Sequence, residues 1–231
     1  MDRVGLAKKL GAEFVGTFSL IFVGCGAIVS DALSGGQLGH LGVALSFGLV
    51  ILIMVCATGH ISGAHFNPSV TFAFALDGRF PWTQVLPYMG TQILAAILAS
   101  VAVASLVGTQ GQLGLTSTEL SLGRAFGVEV VLTMILMFVI SAVATDARAH
   151  GQMAGIAIGG TVAVAALFGG PLTGASMNPA RSLGPAVITG EFGQLWIYIA
   201  APLLGAPFGS LVYRLVRCED ESSDLDATGC C

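Results

Sequence analysis

Six stretches of the chain run nearly without charge for about the length of a membrane crossing: 10–30, 39–59, 84–107, 124–144, 152–169 and 193–216. A helix needs about 20 apolar residues to cross the hydrocarbon core, so each predicts a spanning helix. Two further apolar pieces, 67–76 and 178–188, are too short to cross and lie after the second and fifth spans. Each follows a nearly repeated stretch: Ser62-Gly63-Ala64-His65-Phe66-Asn67-Pro68-Ser69, then Thr173-Gly174-Ala175-Ser176-Met177-Asn178-Pro179-Ala180. Asn is a good helix N-cap, and Pro at the first helical position lacks only a donor the helix leaves unpaired. Both stretches therefore predict a loop that turns into a half-helix.

Irregular backbone at membrane depth is tolerated only where protein buries it or where it lines a water-filled cavity. Two such loops in matching positions of two halves point to a site at the midplane between repeats. The repeat extends further, since Glu13-Phe14-Val15-Gly16-Thr17 in the first span matches Glu129-Val130-Val131-Leu132-Thr133 in the fourth. Three spans per copy is an odd number, so the second copy is upside down relative to the first. The expected fold is an all-α integral membrane protein with six transmembrane helices, two half-helices and an inverted three-span repeat. One channel-like domain covers 1–217, with repeats over about 8–107 and 124–217, followed by an acidic tail at 218–231. The Gly-, Ser-, Thr- and Gln-rich pieces at 31–38 and 108–123 are read as connections.

Composition agrees: 55% of the 231 residues are hydrophobic and 10% charged, with a mean hydropathy of +0.87. A soluble domain carries about 25% charged residues. The net charge of -4, partly in the tail, and the lack of a basic face give no support to a nucleic-acid partner. Arg3, Lys8, Lys9, Arg79, Arg148, Arg214 and Arg217 fall on one side of a six-span layout, with only Arg124 opposite. The positive-inside rule then places both termini in the cytoplasm of a multi-pass protein of the inner or plasma membrane. Glu13 and the length of the first run set it apart from a cleaved signal peptide. Cys25, Cys56, Cys218, Cys230 and Cys231 have neither disulfide-framework nor metal-ligand spacing.

The chemistry these residues permit is that of a passage. Each half-helix would present about half a positive charge to the membrane centre, opposing cations. The Asn67 and Asn178 amides can donate to a passing oxygen. The carbonyls of Gly63, Ala64 and His65, and of Gly174, Ala175 and Ser176, would form an acceptor ladder along one wall. Arg181, in the first turn of the second half-helix, is either an anchor reaching for the interface or a pore donor that repels cations; a buried membrane Arg is costly, which favours solvation by a pore. Glu13 and Glu129 read either as a proton relay or as braces accepting bonds from the neighbouring loops; their equivalence under the repeat favours bracing. His60 and His65, five apart, do not share a helix face for a metal. No nucleophile–base pair or phosphate loop marks an enzyme, and neither a metal nor another cofactor is expected.

These residues together resemble the aquaporin (major intrinsic protein) family along essentially the whole chain to about Arg217. The stretches 59–68, 137–146 and 174–185 resemble its nodulin-like branch, a group of plant channels with bacterial relatives. Ser69 stands where the family usually has Ala. The resemblance implies a homotetramer in a lipid bilayer, each protomer with its own pore, and an outer selectivity filter at Phe47, Ala166, Ala175 and Arg181. A strict water channel would carry His at the position of Ala166, and a glycerol facilitator Asp at that of Ser182. The implied function is passive permeation of water and small uncharged solutes (glycerol, urea, ammonia or neutral metalloid acids), excluding protons and ions. A strict water channel, a proton-coupled transporter built on inverted repeats and a membrane scaffold with a vestigial pore are the alternatives.

Overall fold

The computed structural model describes residues 4–145 and 153–217. The tail at 218–231, Arg3, Arg148 and the loop residue His150 lie outside these described residues. Among the described residues eight α-helices follow one another: α1 Leu6–Leu33, α2 Gly39–Ser62, α3 Pro68–Leu76, α4 Trp82–Leu106, α5 Leu122–Thr145, α6 Ala154–Thr173, α7 Pro179–Thr189 and α8 Leu195–Val216. Six of them (all but α3 and α7) are long and apolar enough to cross a membrane. The first span is longer than its apolar run of 10–30 because hydropathy marks the crossing and not the helix. Lys8 and Lys9 extend α1 beyond the hydrocarbon, where long basic side chains reach water.

The two halves are built alike. In the first, α1 packs on α2 and α4; in the second, α5 packs on α6 and α8. The halves are joined by α2 against α6, while α3 lies on α8 and α7 on α4. Each half-helix is thus seated on the last span of the opposite half. Asp77, capping the end of α3, accepts from Arg79 at 2.8 Å and from Arg214 of α8 at 3.1 Å. The ion pair with Arg214, whose side chain is exposed, adds little energy to the packing of α3 on α8.

Packing between spans relies on small residues, since lipid offers no hydrophobic drive for helices to meet. A Cβ at Gly48 of α2 would lie 2.6 Å from the Gly159 carbonyl oxygen of α6, and one at Gly159 2.5 Å from the Gly48 carbonyl oxygen. Gly205 and Gly209 of α8 sit equally tightly on the carbonyls of Val130 and Met134 of α5. The obstacle there is backbone, which has no rotamer to give. Gly209→Leu is therefore expected to cost about 3 kcal/mol, at the upper end for overpacking, and to separate α5 from α8. Gel filtration in detergent would show aggregate in place of a monodisperse peak; an undisturbed peak and melting temperature would refute the close approach.

Candidate functional site

Both loops begin where a span stops. Gly63 ends α2 at φ 87° and Gly174 ends α6 at φ 82°, each N–H bonded to the carbonyl four residues back at 3.0 Å. A left-handed residue at this position is easiest for Gly. The chain then takes positive φ at Ala64 (50°) and Phe66 (49°), and again at Ala175 (43°) and Met177 (53°). Each such non-Gly residue costs roughly 1–2 kcal/mol, so something must hold it.

The two carboxyl groups do. Glu13, fully buried, accepts from the Ser62 hydroxyl (2.8 Å), the His65 N–H (2.9 Å), the Phe66 N–H (2.7 Å) and the Gln92 amide (2.8 Å). Glu129, also fully buried, accepts from the Thr173 hydroxyl (2.7 Å) and the N–H groups of Ser176 and Met177 (both 2.9 Å). A carboxylate offers about four acceptor positions, and Glu13 has four donors on it. A proton arriving there would have to displace one of them, which is a poor start for a relay.

Asn67 and Asn178 cap α3 and α7. The Asn67 side-chain oxygen accepts from the Ser69 N–H at 2.9 Å, and that of Asn178 from the N–H groups of Ala180 (3.0 Å) and Arg181 (3.4 Å). Pro68 and Pro179 occupy the first helical positions. Each Asn amide also donates across to the other loop: Asn67 to the Met177 carbonyl (2.7 Å) and Asn178 to the Phe66 carbonyl (2.9 Å). One N–H of each amide is spent on this exchange, and the second remains for a passing acceptor.

These groups meet in one cavity of about 840 Å³. Gly63, Ala64 and His65, then Gly174, Ala175 and Ser176, all border it. The apolar part of the lining includes Ile51, Val70, Leu136, Ile140, Ile158 and Val162. The His65 ring bonds to the Thr71 hydroxyl at 3.1 Å and packs among Phe74, Phe80 and Tyr88. His60 is exposed, and no cluster of metal-ligating side chains occurs among the described residues.

Phe47, Ala166, Ala175 and Arg181 border the same cavity. Arg181 is only 4% exposed; its guanidinium lies 5.3 Å from the Phe47 ring centre and donates to the Gly114 carbonyl at 2.6 Å. Gly114 belongs to the segment read from sequence as a plain connection, and that reading is too weak. Gly111, Gln112, Leu113 and Gly114 form a left-handed turn (φ 59°, 51°, 57° and 70°) anchored by the buried Leu113 against Val29 and Val103. Just beyond it, the Thr116 hydroxyl donates to Ser182, whose oxygen is also 2.6 Å from that of Ser176. Ser182 thus ties the second loop to this segment. Sequence reasoning also passed over Gln92. An amide in the middle of a spanning helix was the available signal.

A family model described as Major intrinsic protein matches residues 1–213. Among curated relatives, the chain is 46% identical over 220 residues to "Probable aquaporin NIP4-2" of Arabidopsis thaliana, covering 94% of this chain and 77% of the relative. It is 47% identical over 219 residues to "Aquaporin NIP1-1" of Zea mays, covering 93% and 76%. Among solved structures, the aquaglyceroporin from Plasmodium falciparum superposes with a TM-score of 0.84 at 25% identity, over 92% of this chain and 97% of that one.

Proposed function

Because the chain belongs to the major intrinsic protein family, whose members are channels and not enzymes, we propose that it passes water together with small uncharged solutes such as glycerol, urea, ammonia or neutral metalloid acids, and excludes protons and ions. The observation that carries the solute range is Ala166. It lines the same cavity as Phe47 and Arg181 and presents only a methyl group there, where a His would add both bulk and a donor. The similarity to an aquaglyceroporin supports the same reading.

The permeation path follows from its two walls. A solute trades its water shell for the six loop carbonyls on one side, none of which meets a protein donor among the described residues. The spare N–H groups of Asn67 and Asn178 then offer donors midway, and Arg181 offers more at the filter. An ion would need a full solvation shell, which the apolar wall denies it. The half-helix dipoles and the guanidinium add a positive field against cations, including a migrating proton. Glu13 and Glu129 act here as braces. We further assign a homotetramer with a pore in each protomer, placed in the inner or plasma membrane with both termini cytoplasmic. The large apolar side chains left exposed on the spans, such as Leu49, Leu86 and Leu98, suit lipid and neighbouring protomers.

Stopped-flow light scattering of proteoliposomes tests the reading. Water efflux and glycerol and urea entry should both exceed those of empty vesicles, without saturation and without dependence on a proton gradient. Ala166→His should cut solute entry about tenfold, the worth of a small steric mismatch, with much less effect on water. Equal losses in both fluxes would reject the filter assignment, and water flux with no wild-type solute entry would leave a strict water channel.

A further inference from the structure

His40 stands at the start of α2, seven residues and two helical turns before Phe47, so both lie on one face of the helix. Like Phe47 it borders the cavity, about 10 Å further toward the mouth. Its neighbour across the gap is α6, beside the filter residue Ala166.

The ring position follows from a defect in α6. In an α-helix the Leu167 carbonyl would accept from the N–H of residue 171, but residue 171 is proline and has none. His40 supplies the missing donor: its Nε2 lies 2.9 Å from the Leu167 oxygen. A carbonyl can only accept, so Nε2 must carry the proton. The ring is seated over Gly170, where a Cβ would come 2.5 Å from Cε1. Asp31, which lines the same cavity, accepts from the Gly39 N–H at 2.8 Å at the start of α2.

In the tautomer with Nε2–H committed, Nδ1 is the acceptor, and it meets no protein partner among the described residues. An acceptor thus stands at the mouth, one step outside a filter whose charged member, Arg181, is all donors. We propose that His40 is a specificity-determining residue of the permeation path, its Nδ1 accepting a hydrogen bond from the hydroxyl of a neutral polyol or other hydroxyl-bearing solute as the solute enters the filter. The solute would bond to Nδ1 through its O–H two helical turns before it reaches Arg181. Water, small enough to pass without orientation, gains much less. This inference rests on the proposed solute permeability.

Three variants in proteoliposomes test it, with glycerol as the probe and water efflux measured in parallel. His40→Ala removes donor, acceptor and bulk. His40→Phe keeps a ring of similar size over Gly170 without nitrogen. His40→Gln can still donate to Leu167 and still presents an oxygen acceptor. Glycerol entry should fall about three- to tenfold in the Ala and Phe variants, the worth of one hydrogen bond, with water efflux unchanged and glycerol entry largely restored in the Gln variant. Unchanged or faster glycerol entry in His40→Ala, or wild-type entry in His40→Phe, would overturn the acceptor and leave at most a steric rim. Equal losses of water and glycerol would also overturn it, reducing His40 to a tie between α2 and α6. Wild-type vesicles that admit no glycerol would defeat the solute reading and the subsite together, whereas normal wild-type entry with insensitive variants defeats the subsite alone.

Discussion

Glu13→Leu is expected to yield no functional channel. The substitution removes the acceptor from four buried donors: the Ser62 hydroxyl, two backbone N–H groups and the Gln92 amide. Each orphaned donor costs about 1–3 kcal/mol, and a typical fold has about 5–15 kcal/mol in hand. The strain at Ala64 and Phe66 is no longer offset once the carboxyl group is gone. Water permeability of reconstituted vesicles should drop to the level of empty liposomes, with a melting temperature well below wild type or an aggregated sample. Glu13→Gln should be milder. Its amide oxygen still accepts two bonds, and its NH2 can donate to the Ser62 hydroxyl or to a turned Gln92 amide, which leaves one backbone N–H unanswered. Wild-type permeability in Glu13→Leu would show that the loop holds its shape without the brace.

The second large effect is expected at Arg181. Replacing it with Val removes a buried unit charge from the cavity wall. At about 5 Å and an effective dielectric of about 20, that charge repels a passing cation by about 3 kcal/mol, roughly two decades of exclusion. The half-helix dipoles remain, so the leak should be partial: proton flux driven by a potassium diffusion potential should rise about ten- to a hundredfold, read with a pH dye inside the vesicles. The Gly114 carbonyl, freed of its partner, would face the cavity and add an acceptor for cations. Wild-type proton flux in a variant that is folded and still conducts water would refute the electrostatic role.

Much of this architecture is legible in the sequence because the bilayer is a severe solvent. It demands long apolar runs and forbids loose backbone, so two Asn-Pro loops in a chain this apolar stand out at once. The match of Glu13–Thr17 with Glu129–Thr133 carries the repeat beyond the loops. What stays illegible is whatever depends on one atom meeting another across the fold. Nothing in the composition of 108–123 says that its turn runs left-handed or that Gly114 turns its carbonyl toward Arg181. Leu113 reads as a loop leucine until Val29 and Val103 are seen to enclose it. Gln92 reads as a stray amide until it is found on Glu13. His40 is the clearest case, since its partner exists only because Pro171, 131 positions away in sequence, leaves a carbonyl open.

The exchanged bonds between Asn67 and Met177 and between Asn178 and Phe66 also have a mechanical meaning. They act as two struts of fixed length, 2.7 and 2.9 Å, joining the halves at their centre. The bore at that level is set by hydrogen-bond geometry and not by how tightly the outer helices are squeezed. Tilting of the spans would meet these two bonds at the centre and, among the described residues, no such exchange at the mouths. Such a passage is stiff in the middle and compliant at its mouths, so changes in the surrounding lipid act on entry and exit before they act on the midpoint.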